Sequence, residues 1–162
     1  MGTSITPAAL TCTITEAITL NGVAQGGTNS FSIGAIKDVY KRILTIDAGD
    51  DATVAVFKTT TAIADCALDK DRVKYIRITN KDGTNAVNVS LQLDSGEDNS
   101  AADLSVTHLL SAGQSFLMGS PDEAAHADDD AASIVTALTD LESIIVDPGA
   151  NDGTIEVFIA SI

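Results

Sequence analysis

The residues best suited to chemistry lie in one acidic stretch, where His126 is followed at short spacing by Asp128 and Asp130. Imidazole nitrogen and carboxylate oxygen can both ligate a divalent cation, so these side chains are candidate metal ligands. The alternative is a solvated acidic loop, which is the more common role of such a run. We therefore predict no resident metal and no cofactor, and keep these three residues as the candidates to be tested.

Other reactive side chains do not form a catalytic motif. The histidines, His108 and His126, are not accompanied by a G-x-S-x-G nucleophile elbow. The cysteines, Cys12 and Cys66, form no C-x-x-C pair, and they fit either two free thiols or a disulfide. A sugar-cleaving cleft usually offers aromatic platforms beside its carboxylates, and this chain has no Trp. We expect a protein that is not an enzyme.

Strand-like alternation is most regular in residues 87–93, where apolar and polar side chains alternate without exception. This period of two is typical of a strand with one buried face. We predict that the apolar set faces the core; it consists of Val87, Val89, Leu91 and Leu93.

A turn signal precedes that strand. Asn80-Lys81-Asp82-Gly83 separates it from another strand-like run that starts at Val73. The pattern predicts a hairpin with a type I turn and a G1 bulge, in which Gly83 adopts a positive φ. Asn21-Gly22 is a second turn dipeptide, at the end of a partly alternating run.

Further strand-like runs recur at short, turn-bounded intervals, at residues 10–20, 38–46, 52–57, 103–110, 115–118, 141–146 and 154–162. Eight or nine short strands predict an all-β fold, an antiparallel β-sandwich of the jelly-roll kind. We predict one domain over residues 1–162, in which residues 1–35 can form an extended N-terminal arm. Ile134, Val135, Leu138 and Leu141 have helical spacing, so a short helix near 130–140 is predicted, with a surface loop as its rival.

Charge is distributed unevenly along the chain. Residues 1–36 have a net charge of -1, residues 37–81 of +2 and residues 82–162 of -15, giving -14 in total. Residues 37–81 contain all nine Lys and Arg. Lys41, Arg42, Lys74 and Arg77 lie in predicted strands, and we predict that they form a basic band contacting another subunit or shell. Pairing with the protein's own acids is the alternative.

The same charge excludes some partners. Phosphate backbones need a net cationic face, so we do not expect nucleic acid to bind. No apolar run approaches the roughly 20 residues of a membrane-spanning helix. We therefore expect no membrane association.

Three runs, "KDVYKRILTI", "VKYIRITNKDGTNAVNVSLQL" and "LLSAGQSFLMG", resemble small virion proteins of marine and cyanobacterial tailed phages. The resemblance covers roughly residues 36–120, and more loosely the final strand. It implies a capsid decoration, or cement, protein that binds the major capsid protein and copies of itself, as a homotrimer. It also implies synthesis in the host cytoplasm and location in the virion.

Two alternatives from other functional classes stay open beside the decoration protein and its nearest variant, a tail or fibre component. One is a calcium- or carbohydrate-dependent adhesion module with binding loops at residues 122–130 and 147–152. The other is a small hydrolase. Indifference of a stable oligomer to calcium would favour the decoration protein.

Overall fold

The computed structural model describes residues 5–58, 67–93, 104–119 and 140–162, in which all regular structure is β-strand. Isoleucine, leucine, valine and threonine are the commonest residues in these strands, and three of the four are β-branched side chains that pack well on a pleated surface. The strands of the described residues are β1 (Ala8–Thr15), β2 (Thr19–Leu20), β3 (Val23–Ala24), β4 (Thr28–Ile36), β5 (Asp38–Ile46), β6 (Ala52–Lys58), β7 (Leu68–Asp69), β8 (Val73–Asn80), β9 (Val87–Leu93), β10 (Leu104–Leu110), β11 (Ser115–Gly119), β12 (Leu141–Asp147) and β13 (Gly153–Ser161).

Two main sheets form the body. Sheet I has the strand order β11-β8-β13-β5, and sheet II has the order β10-β9-β12-β6-β7. All neighbours are antiparallel except the short β6–β7 pair, which is parallel. The predicted all-β antiparallel sandwich is confirmed, with more strands than the eight or nine expected.

The core lies between the two main sheets. Sheet I contributes Ile76, Ile78 and Ile159, and sheet II contributes Ile144 and Val146, all with 0% exposure. The predicted inward face of β9 is confirmed, because its alternate residues are buried in this same core, namely Val87, Val89, Leu91 and Leu93.

The predicted hairpin around residues 80–83 is wrong. Strand β8 pairs with β11 and β13 in sheet I, whereas β9 pairs with β10 and β12 in sheet II. The connection is therefore a corner between the sheets. The Asn80 side chain is buried there, and its amide donates hydrogen bonds to the carbonyls of Asn85 (2.8 Å) and Leu110 (3.0 Å).

The predicted positive φ at Gly83 is also wrong, because the φ of Gly83 lies outside that range. Other glycines, such as Gly113, do adopt a positive φ. Asp82 provides the turn geometry instead. Its carboxylate accepts hydrogen bonds from the backbone N–H groups of Thr84 and Asn85, both at 2.7 Å. An aspartate that bonds its own following backbone can form such a turn without a left-handed residue.

Residues 5–36 form a separate structure on the outside of sheet I. Strands β1 and β4 pair with each other as a two-stranded ribbon, and β2 and β3 form a small hairpin between them. The turn predicted at Asn21-Gly22 is confirmed, because both residues have positive φ, 50° and 78°. A two-residue turn of this kind matches the twist of a hairpin.

Several predictions concern residues outside the described part of the chain. They are the short helix near 130–140, apart from its last residue, the state of Cys66, and the candidate ligands His126, Asp128 and Asp130. Within the described ranges there is no helix long and apolar enough to cross a bilayer.

Candidate assembly surface

The ribbon is anchored on the outer face of sheet I by a second, smaller apolar cluster. Ile33 and Ile36 of β4 are buried there together with Tyr75 of β8 and Ala160 of β13. The N–H of Lys37 donates a hydrogen bond of 2.8 Å to the carbonyl of Ser161, which fixes the base of the ribbon beside β13.

The ribbon then crosses sheet I towards its edge strand β11. Cys12 carries a free thiol whose sulfur lies 3.9 Å from the Tyr75 hydroxyl. A Cβ on Gly119 of β11 would lie 2.5 Å from the Tyr75 ring and 3.4 Å from the Phe31 ring. The close approach of these rings therefore requires glycine at position 119.

Beyond Cys12 and Phe31 the ribbon is exposed. Its polar side chains form cross-strand hydroxyl pairs, Thr13 with Ser30 at 2.9 Å and Thr15 with Thr28 at 3.3 Å. Its large apolar side chains are also exposed, and they are Ile14, Ile18, Leu20 and Val23. Such a cluster of exposed apolar groups marks a contact surface more often than an isolated exposed leucine does.

Backbone hydrogen bonds shape the end of the ribbon. The Glu16 N–H donates to the Gly27 carbonyl (2.8 Å), and the Gln25 N–H donates to the Ile18 carbonyl (2.9 Å). Gly26 lies so close that a Cβ there would be 1.9 Å from the Glu16 carbonyl oxygen. The backbone of the tip therefore follows a path held by these hydrogen bonds.

Strand β10, at the edge of sheet II, is the second exposed apolar element. Among the described strands it pairs with β9 alone, so no described strand lies on its other edge. Leu104 and Val106 pair with Leu93 and Leu91, which places them on the inner face, yet both are exposed. Leu109, on the outer face, is 66% exposed.

Strands β10 and β11 lie side by side at the same side of the sandwich. The His108 ring of β10 is 4.9 Å, between centroids, from the Phe116 ring of β11. Residues 104–119 contain no Asp, Glu, Lys or Arg, and the ribbon, residues 5–36, contains Glu16 alone. We call this side, consisting of the ribbon, β10 and β11, the uncharged side.

The opposite side consists of β5, β6 and β7 and is charged. Lys41 of β5 lies 3.7 Å from Glu156 of the neighbouring strand β13. Arg77 of β8, which is next to β11 in sheet I, forms a hydrogen-bonded ion pair with the same carboxylate, so this charge pair extends from the charged side into the middle of sheet I. Arg42 points to the other face of β5, where it donates to the Tyr40 hydroxyl at 3.4 Å. The structure thus brings Lys41 and Arg77 together around one acid and places Arg42 apart from them.

Lys74, the remaining member of the predicted band, lies at a break in register. Ala160 pairs with Tyr75 and Ser161 pairs with Val73, so Lys74 has no opposite residue on β13. The predicted role of Lys41, Arg42, Lys74 and Arg77 as a subunit or shell contact stays a prediction.

Two ionisable groups on the outer face of sheet I have shifted pKa values. The hydrogen bond from Arg77 holds the pKa of Glu156 below its usual range, and the charges of Arg77 and Lys41 act in the same direction. Burial raises the pKa of Tyr75 to about 12, and the neighbouring Cys12 thiol adds to the increase.

An open concavity of about 400 Å³ lies at the end of the ribbon, beside Glu16, Ile18 and Gly27. A groove of about 220 Å³ lies between the sheets beside Tyr40, Arg42 and Leu68. No group of three or more His, Cys, Asp or Glu within the described ranges is placed to hold a metal ion. In the loop at 147–152, Asp147 and Asp152 accept hydrogen bonds from the N–H groups of Gly149 and Ala48.

The uncharged side was not singled out from the sequence, although a signal was present. The half of the chain from residue 82 onwards contains fifteen acids, and 104–119 is a gap among them. A search for gaps in charge would have found it. That this gap adjoins the uncharged N-terminal segment depends on the crossing of the ribbon, which no local pattern encodes.

Comparisons with known proteins give little guidance. No family model matches the chain, and no curated protein matches it. A solved structure of Bacillus endospore appendages, described as a novel family of disulfide-linked pili, aligns with 76% of this chain and 87% of its own. The sequence identity is 12% and the TM-score is 0.35.

Proposed function

We propose that this chain is a non-enzymatic structural subunit that acts by assembling with copies of itself and with a larger surface. The observation that carries the proposal is the uncharged side. Exposed strand edges are normally blocked by charged residues or proline, because they template association. On a chain with a net charge of -14, the long edge strand β10 and the projecting ribbon lack that protection almost entirely.

The specific role that we propose is capsid decoration. The basis is the resemblance of "KYIRITN" and its flanking runs to small virion proteins of tailed phages. Such a subunit would contact the major capsid protein and further copies, as a trimer on the outer shell of a virion. Lys41, Arg42, Lys74 and Arg77 remain the proposed source of charge complementarity with an acidic shell.

The first test is sedimentation velocity of the purified chain over a wide concentration range. We expect a discrete oligomer, with no change on addition of calcium or a chelator. A monomer at every concentration would overturn the proposal that the chain assembles with itself. A calcium-dependent oligomer would favour the adhesion module instead.

The second test addresses the specific role by pelleting the chain with capsid shells that lack it. Saturable binding at a fixed number of copies per shell supports a decoration protein. An oligomer that does not pellet with shells would overturn capsid decoration and leave the structural subunit in place.

A further inference from the structure

We propose that the projecting ribbon of one copy packs against the β10 edge of a second copy, and that this contact closes into a small oligomer. The inference rests on the proposed function, since it names the contact by which copies assemble. It concerns the exposed apolar residues of the ribbon tip and of β10.

The two surfaces match in chemical kind. The ribbon presents Ile18, Leu20 and Val23, all exposed. Strand β10 presents Val106 on its inner face and Leu109 on its outer face, and a strand added at its edge would meet both. Burying apolar area stabilises a contact by roughly 25 cal/mol per Å². Neither surface contains a charge that would have to be desolvated, apart from Glu16 at the base of the tip.

The charge distribution also favours a second copy of the chain as the partner that binds this side. Two bodies of net charge -14 repel each other, and the repulsion is weakest where both present uncharged surface. The ribbon, apart from Glu16, and β10 are uncharged and exposed, whereas the equally uncharged β9 lies inside sheet II between β10 and β12. The ribbon does not cover β10 of its own copy in this structure. It is packed on sheet I, and Leu109 of β10 is 66% exposed.

The positions of the two surfaces are compatible with a closed assembly. The ribbon reaches the β11 edge at Gly119, and β10 adjoins β11 through His108 and Phe116. The ribbon and the β10 edge therefore lie on the same side of each copy. Copies that face one another on this side can form the contact reciprocally or around a ring, which leaves no unpaired surface for filament growth.

The backbone contributes as well. Within the described ranges, no strand pairs with the edge of β10 that faces away from β9, and each ribbon strand has one edge of the same kind. Pairing between them would extend sheet II by strand addition, a recurrent mode of recognition between chains.

The experiment uses three variants of the full chain, each first shown to melt near the wild type. Leu109→Lys places a charge on β10, and Leu20→Glu places one on the ribbon tip. Ile43→Lys is the matched control, because Ile43 is 61% exposed on β5 at the charged side. Association is measured by sedimentation equilibrium, for each variant alone and for an equal mixture of the first two.

We expect Leu109→Lys and Leu20→Glu each to weaken association by about tenfold or more, while Ile43→Lys leaves it unchanged. The mixture should regain affinity, because the lysine of one copy then meets the glutamate of the other. A loss confined to one of the two variants, or no recovery in the mixture, would overturn the ribbon–β10 contact. Wild-type association with no effect of either variant would overturn this contact alone, whereas a monomeric wild type would overturn the proposed function too.

Discussion

The two sides of this sandwich differ in how their edge strands are protected from pairing with other chains. On one side, the edge strand β5 carries Asp38, Lys41 and Arg42, and β7 is two residues long. On the other, β10 has seven residues without a formal charge, and the ribbon projects beside it. Charged and short edges resist pairing with other chains, and uncharged long edges invite it.

The difference indicates that the side with β10 and the ribbon lacks the features that prevent association. Fifteen acids are distributed over residues 82–162, and residues 104–119 lie within the longest stretch there that contains none. A surface that would be a liability in a monomer is useful in a subunit that assembles. Substitutions at four places should have effects that decrease in this order: the core strand β9, the corner at Asn80, the packing of the ribbon at Gly119 and the ion pair of Glu156.

The largest effect should follow from a substitution in the core between the two sheets, on which both sides depend. Val89 is 0% exposed and pairs with His108 of β10 and Val146 of β12. Val89→Asp loses about 2 kcal/mol of transfer free energy and buries a carboxylate, so we expect the chain not to fold. Thermal melts followed by circular dichroism measure this. Ser90→Asp, on the outer face, is the control, and equal tolerance of both changes would contradict the register of β9.

The next effect concerns the corner that sends β9 into sheet II and so positions β10. Asn80→Ala removes the amide that bonds the carbonyls of Asn85 and Leu110, and leaves buried polar groups unsatisfied. We expect a loss of roughly 2–3 kcal/mol in the free energy of unfolding by denaturant. Asn88→Ala, in the neighbouring strand, should cost much less. A near-neutral Asn80→Ala would mean that the corner does not depend on this side chain.

A smaller effect should appear at the ribbon anchor. Gly119→Ala places a Cβ 2.5 Å from the Tyr75 ring, so we expect a cost of roughly 1–3 kcal/mol and a loosened ribbon. The readout is the rate at which Cys12 reacts with a thiol reagent, in a Cys66→Ser background. We expect faster labelling for Gly119→Ala and no change for Gly83→Ala, whose Cβ would meet nothing within 4 Å. Unchanged labelling of both would show that the ribbon does not depend on this packing.

The smallest effect is the pH dependence of one ion pair. The pKa of Glu156 is lowered in the folded state by Arg77, so the pair stabilises the fold above the unfolded value of about 4.3. That stabilisation is lost as pH falls through the lower folded pKa. We expect Glu156→Gln to flatten the acid limb of a plot of unfolding free energy against pH. An acid limb identical to that of the wild type would contradict this role.

Local patterns allowed the strands to be predicted well. Residues 38–46 form β5 with the predicted bounds, and the alternation of Val87, Val89, Leu91 and Leu93 gave the buried face of β9. These patterns succeed because side chains on a strand alternate between faces, whatever strand lies next to it.

Strand partners and the assembly surface could not be predicted in the same way. The pairs β5–β6, β8–β9, β10–β11 and β12–β13 are each divided between the two sheets, although short turns join most of them. The decisive groups, such as the Asn80 amide at the Leu110 carbonyl, link residues thirty positions apart. Sequence also gave Lys41 and Arg42 as one band, whereas neighbours on a strand point to opposite faces.

The most direct test of the central claim is the salt dependence of self-association, measured by sedimentation equilibrium of the wild-type chain. If copies meet through the uncharged side, added salt screens the repulsion between two bodies of net charge -14 and weakens no attraction across the contact. The association constant should therefore rise with ionic strength. An association constant that falls as salt is added would mean that basic and acidic residues form the contact, and would contradict the account.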